Sequence, residues 1–469
     1  MAFGAQAGWE GHPPLQNRYK EHEFIAACRE ENCPAVQFYL QQEGFDPNKK
    51  RRSGFSGSAV TGLFCAAQRG KTDSVRILVA ARVNIEQSCL DGATPLYIAS
   101  QNGHAEVVRS LITAGVDLDR SCSDGATPLF IASHNGYTEV VRSLITAGAD
   151  LDRSCSDGAT LLFIASHNGH TEVVRSLITS GVDIDRRRSN SGSTPLYIAS
   201  QNGHTEVVRS LIAVGADLDR SRSGGTTPLY IASQNGHAEV VKSLITAGAD
   251  LDRSRSDGAT PLYIASENGH TEVVRSLIAA GADLDRSWSD GATPLFVASR
   301  KGHTEVVKSL IAAGADLDRS RSDGATPLYI ASENGHTEVV RSLIAAGADL
   351  DRSRSDGATP LFVASQDGHA QVVRILVEAG ANPAISWAVF YPFDFSIFRR
   401  MPLAQAKIKK RSARSGSEER RRYNEIISML VQAHSRSLLP EEDDTQLQAD
   451  ETTPLLSPMN RLSLCGKRT

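Results

Sequence analysis

The sequence predicts an all-α repeat solenoid, and three observations lead there. Threonines recur at 61, 94, 127, 160, 194, 227, 260, 293, 326 and 359, in steps of 33 with a single step of 34. A period of that size is one supersecondary unit and not a domain. Each unit carries two short apolar-periodic runs, separated and ended by glycine. The composition agrees: 40% of residues are apolar but only 6% aromatic, which suits small aliphatic interfaces better than a bulky core.

Residues 91–120 serve as the sample unit. Asp91-Gly92 is a turn signal. Thr94 can cap a helix, and Pro95 then falls at the first helical position, where its missing N–H costs nothing. Leu96 and Ala99 share one face of that helix, and Asn102-Gly103 stops it. A second helix is predicted from about Ala105, with Val107, Val108, Leu111 and Ile112 as its apolar stripe, and Ala114-Gly115 ends it. Val116 to Ser121 reads as extended chain leading to the next turn. Helices shorter than about 12–15 residues are marginal alone in water. One unit cannot bury its own stripe, so the units must stack.

The stretch "DGATPLYIASQNGHAEVVRSLITAGVDLD" resembles the ankyrin repeat: a turn with Asp and Gly, then T-P-L-H-x-A, G-H, an apolar second helix and G-A-D. The resemblance covers about Thr61 to Ala384. It implies helix–turn–helix units joined by β-hairpin-like loops in a curved solenoid, and a role in protein–protein binding on the concave face of loop tips and inner helices. Departures are regular. The histidine after T-P-L is replaced by Tyr97, Phe130, Phe163, Tyr197, Tyr230, Tyr263, Phe296, Tyr329 and Phe362, which lack imidazole's paired donor and acceptor. The turn aspartate is replaced by Cys122, Cys155, Arg222, Arg255, Trp288, Arg321 and Arg354, and Leu161 replaces one proline.

The organisation predicted is a disordered N-terminus over 1–17, then a degenerate capping repeat with a basic loop over 18–60. Ten repeats follow over 61–384. An aromatic loop and a degenerate capping repeat with a basic insertion occupy 385–437, and an acidic, disordered tail 438–469. The caps rest on "EFIAACREENCPAVQFYLQQEGFDPN", with glutamates and glutamines outside, and on "MPLAQA" with "YNEIISMLVQA". No basic region followed by an apolar run opens the chain, so no secretory signal is expected, and "ISWAVFYPFDFSIF" is too short to span a bilayer. Seven cysteines, an odd count, read as reduced thiols in a cytoplasmic or also nuclear protein. A monomer is expected.

A period of 33 turns every position into a column of like residues one layer apart. Layers are about 8–10 Å apart. The histidines 104, 170, 204, 237, 270, 303, 336 and 369 are too far apart to share a zinc ion and are read as half-buried groups bonding loop backbone. Cys89, Cys122 and Cys155 form no disulfides within their row and are read as exposed, oxidisable thiols. A catalytic site needs unlike groups converging on one point. An array gives parallel rows, so no catalytic residue, metal, cofactor or small-molecule substrate is expected.

What remains is binding. The tip row in the second half offers Arg222, Arg255, Arg321 and Arg354 with Trp288, and arginine and tryptophan are frequent interface hot spots. A second row follows each "AS": Gln201, Gln234, Glu267, Arg300 and Glu333. The expected partner is one or more proteins, acidic or phosphorylated, docking between Arg222 and Arg354. The competing reading is a self-neutralised solvated surface, because each nearby arginine follows an aspartate. Two short motifs suggest alternatives. "ETTPLL" resembles the acidic dileucine signal read by clathrin adaptors, with Glu451, Leu455 and Leu456 as anchors of a trafficking adaptor. The basic insertion, with Lys409, Lys410, Arg411 and Arg420, Arg421, Arg422, suggests a nuclear co-regulator. It could touch nucleic acid only through phosphates, and nucleic acid is not the expected partner.

Overall fold

The structure, a computed structural model, describes residues 15–52, 59–384, 402–414 and 416–437. Among them are twenty-four helices in twelve consecutive pairs, α1 (Leu15–Glu30) to α24 (Glu418–Ser437), and one two-stranded ribbon, β1 (Arg51–Arg52) with β2 (Ala59–Val60). The ten pairs from α3 (Gly62–Gln68) and α4 (Thr72–Ala80) to α21 (Pro360–Asp367) and α22 (Ala370–Glu378) are the ten units read from the threonines.

Each pair forms for the expected local reasons. Thr260 is extended, and its Oγ1 accepts from the Tyr263 N–H at 3.1 Å, which starts α15 (Pro261–Asn268). Gly269 then ends that helix in the left-handed conformation, at φ +77°. Leu161 starts α9 (Leu161–His167) without proline, because the Thr160 cap is intact. Replacing the fully buried Thr260 by alanine should cost about 1 kcal/mol, read as a lower denaturation midpoint; an unchanged midpoint would mean the cap does not hold the helix.

First helices stack on first helices and second helices on second helices. In α16 (Thr271–Ala279), Val273, Val274 and Leu277 are buried while Arg275 is exposed, and the same split recurs from repeat to repeat. The main core is therefore one continuous row of mostly small aliphatic layers, as a stack of individually unstable units requires, with a second buried row around Tyr230, Tyr263, Phe296, Tyr329 and Phe362 beside it.

The ends differ in detail from expectation. In the N-terminal cap Phe24 packs edge-on against Phe45, at 4.9 Å between centroids, and against Tyr39 at 6.1 Å. Glu23, Glu30, Gln37, Gln41 and Glu43 face outward as expected. Glu21 does not: it is buried beneath Lys49, 2.7 Å away, and Arg51, so the basic loop folds onto a carboxylate. Phe38 is 60% exposed on this otherwise polar cap. At the other end the basic stretch is no inserted loop. Lys409, Lys410 and Arg411 continue α23 (Pro402–Ser412), and Arg420, Arg421 and Arg422 lie in the first turns of α24. The reason is composition: lysine, arginine, glutamate and glutamine are good helix formers. The segment 1–14, the aromatic stretch 390–398, and the tail with Glu451, Leu455 and Leu456 lie outside the described residues. No helix among the described residues is long and apolar enough to cross a membrane.

Candidate protein-binding surface

The two regular departures noted in the sequence prove to be halves of one arrangement. The aromatic that follows T-P-L is buried in its first helix, and the next repeat's tip side chain lies over its ring. Arg188 covers Phe163 at 5.3 Å, Arg222 covers Tyr197 at 5.8 Å, and Arg255 covers Tyr230 at 5.7 Å. Arg321 covers Phe296 and Arg354 covers Tyr329, each at 5.4 Å. Trp288 fills the same place over Tyr263, with centroids 6.3 Å apart. Each cation–π contact contributes about 0.5–1 kcal/mol at an exposed site. The tips and the first helices thus form one face, with a row of aromatics beneath a row of guanidinium groups.

Arg188 belongs to this row and is left out of the tip row read from the sequence. The extra residue in "RRRSNSGST" follows it and lengthens its gap to Thr194 by one, and its N–H donates to Ser193 O at 2.9 Å, just as Arg255 N–H donates to Ala259 O. Spacing could have found it, because Arg188 lies 28 residues after Thr160 just as Arg255 lies 28 after Thr227.

Carboxylates hold most of these arginines. Arg255 pairs with Asp257 at 3.1 Å, Arg321 with Asp323 at 2.5 Å, and Arg354 with Asp356. Arg188 reaches back to Asp157 at 2.5 Å. The Asp323 and Asp356 carboxyls sit below the ordinary aspartate range. For Asp323 the Arg321 hydrogen bond is the main cause; for Asp356 burial pushes the other way, and the Arg354 bond and charge together with the Ala358 N–H outweigh it. Arg222 differs: Gly224 stands where the aspartate would be, and its Nε donates to Ser191 O at 3.2 Å.

The second predicted row is half-buried at the end of each first helix. Its backbone carries the histidine column. The His270 Nε2–H donates to Gln234 O, His303 to Glu267 O and His336 to Arg300 O, each at 3.0 Å; His237 and His369 likewise reach Gln201 O and Glu333 O. Each such ring is engaged by backbone, but by the last turn of the preceding repeat's first helix and not by a loop as expected. Tyr137 is the exception in the column, and Asn135 Nδ2 serves Gln101 O in its repeat. The Glu267 and Arg300 side chains pair across one layer at 2.9 Å. Burial raises the Glu333 carboxyl above its ordinary value.

The cysteine tips need correction. Cys89 is buried and Cys122 and Cys155 are half-buried. The Cys89 and Cys122 thiols donate to Asp91 and Asp124, at 2.5 and 2.7 Å. Burial first, and the aspartate bond second, raise both thiols, Cys89 to about 11. They are protonated at neutral pH and poor nucleophiles, not the oxidisable groups expected. The described cysteines are all free.

At the base of the tips runs a ladder of aspartates. The Asp283 N–H donates to Asp252 Oδ1 at 3.1 Å, and the same bond links Asp219 to Asp250, Asp285 to Asp316, Asp318 to Asp349 and Asp351 to Asn382. Burial raises Asp219, Asp252, Asp285, Asp318 and Asp351 above the usual aspartate value. The folded chain therefore binds these protons more readily than the unfolded chain does. Stability should rise as pH falls from neutral toward the window just above the ordinary value of 3.8, and be lost again at lower pH as Asp323 and Asp356 protonate. Changing all five to asparagine keeps the acceptor, as Asn48 does for the Asn84 N–H. It should raise the melting midpoint at pH 7 by a few degrees and flatten the acid-side rise; a lower midpoint would contradict the sign.

The model of ankyrin repeats, three copies long, matches residues 24–122, 111–188, 186–255, 244–321 and 313–386. The chain belongs to the ankyrin-repeat family. Ankyrin repeats in general mediate protein–protein interaction and are non-catalytic scaffolds. Among solved structures 549 chains match. One is the crystal structure of the human ASB11 ankyrin repeat domain, 27% identical, with a TM-score of 0.44, covering 48% of this chain and 99% of that one. A comparison with curated proteins gives no match. In this ankyrin array, no group of three or more His, Cys, Asp or Glu among the described residues could hold a metal ion.

Proposed function

We propose that this ankyrin array is an interaction scaffold whose face of tips and first helices holds a partner protein. The observation that carries the reading is the interlocked row from Arg188 to Arg354, six tips long, in which every cationic or indole side chain is fixed over a ring of the repeat before it. Side chains already ordered lose little entropy on binding. The row also brings together the two residue types that dominate hot spots. Trp288 is the apolar anchor, half-buried between guanidinium neighbours, and Gln201, Gln234, Glu267, Arg300 and Glu333 form the polar margin. The chemistry favours an acidic partner.

The test uses a partner captured by the purified full-length protein. Its affinity should fall at least about tenfold when Arg255 and Arg321 are both changed to glutamate, and also for Trp288→Ala. Changing Arg209 and Arg275, exposed on second helices, should alter it less than about twofold. The reverse pattern would place binding on the second-helix face and end the reading.

A further inference from the structure

Two adjacent tips break the charge balance of the row. Residues 186–192 hold Arg186, Arg187 and Arg188, residues 220–225 hold Arg220 and Arg222, and neither stretch contains a carboxylate. Ser191 and Gly224 stand at the turn position that is Asp124, Asp157, Asp257, Asp290, Asp323 or Asp356 in the neighbouring tips. Arg186 and Arg188 borrow carboxylates from the tip before, Asp152 and Asp157. Among the described residues Arg187, Arg220 and Arg222 make no ion pair. Later equivalents of Arg220, such as Arg253 and Arg286, are also without a close pair. They share their tips with an aspartate, however, and act on the ladder carboxylates of Asp219 and Asp252. Arg222 is exposed, yet it is not loose. Its ring contact with Tyr197 and its Nε bond to Ser191 O fix the guanidinium, leaving both terminal nitrogens free to donate.

We infer that these two tips are the charge-reading site of the scaffold face, taking an extended acidic segment of a partner protein whose carboxylates recur every third residue. This deepens the face reading and rests on it. Repeat layers about 8–10 Å apart set the spacing of successive tips. An extended chain rises about 3.3 Å per residue, so three residues span one layer. One glutamate then meets the fork of Arg222, and the next meets Arg187 on the preceding tip. Planar guanidinium groups bind carboxylates in paired hydrogen bonds, which the terminal nitrogens of Arg222 can supply. The paired arginines, Arg321 and Arg354, give shape instead of free charge.

The experiment is a titration of the full-length protein, at low ionic strength, with a labelled peptide bearing glutamate at every third position. Comparison probes are a peptide with the same glutamates in one block and a single-stranded oligonucleotide of equal charge. The spaced peptide should bind best. Arg222→Glu should weaken it at least about tenfold, and Arg354→Glu less than about twofold. Equal losses in the two variants would reduce the effect to net charge and overturn the site. So would no peptide binding, binding of the block peptide as tight as the spaced one, or an oligonucleotide that alone is sensitive to Arg222→Glu. The thermal midpoint of Arg222→Glu should fall by no more than about a few degrees, since the side chain is exposed and loses one ring contact and one hydrogen bond. If Arg222→Lys fails to bind while its midpoint holds, the paired geometry is what matters, as the site requires. A captured partner that loses affinity with Trp288→Ala but not with Arg222→Glu would leave the face standing and remove this site.

Discussion

Replacing Leu277 by alanine is expected to cost about 2–5 kcal/mol, the largest effect of any single substitution considered for this chain. Leu277 is wholly buried in α16, between second helices on both sides. The loss combines removed apolar burial with a cavity that stiff stacked helices cannot close. Each repeat touches only its neighbours, so the damage should be local in one dimension. Denaturant unfolding should then split into two transitions, and amide exchange should speed up first from α15 to α18 (Thr304–Ala312). The exposed Ala279, two residues on, is the control; Ala279→Ser should change stability by less than about 0.5 kcal/mol. A single cooperative transition with exchange raised evenly along the chain would show that the layers are coupled over a longer range than this architecture implies.

The second large effect is expected at Gly269. Its φ of +77° is one that a side chain strains to adopt, and a Cβ there would lie 2.8 Å from the His303 ring of the next repeat. Gly269→Ala should cost about 2–4 kcal/mol, combining left-handed strain with the overpacked contact. It should also push His303 off Glu267 O, 3.0 Å away, which the ring signals of His303 would report. Gly281 separates the two terms. It has a φ of +89° with nothing within 4 Å of the added atom, so Gly281→Ala should show the strain alone. Equal costs at the two positions would mean that the ring-on-glycine contact contributes nothing. The same contact closes the array: Tyr423 of α24 lies over Gly368 and its hydroxyl donates to Gln366 O at 2.9 Å, standing in for the missing histidine.

The periodic part of this fold was legible because every unit repeats the same local instructions. Thr260, Pro261 and Gly269 announce a helix start and stop without reference to anything distant. The binding row was legible only by halves. The aromatics such as Tyr230 and the tip arginines such as Arg255 were both noticed, but as unrelated departures. Their contact joins residues 25 apart in different repeats, and neither helical nor strand spacing suggests such a pair. Arg188 was overlooked although it keeps the period from Cys155, because the inserted residue after it lengthens its gap to Thr194. The cysteines were misjudged for a chemical reason: Asp91 and Asp124, two residues on, accept from the thiols and fold them inward. The basic run around Lys409 was read as an insertion between two cap helices, and it lengthens both because its residues favour helix.

The account's central claim is that partners lie along the tips and first helices. Amide exchange on the full-length protein, free and saturated with its captured partner, tests it most directly. The account predicts new protection in the tip turns from Arg188 to Arg354, with the second helices from α10 (Thr171–Thr179) to α20 (Thr337–Ala345) unchanged. Protection confined to those second helices, with the tips unaltered, would contradict it.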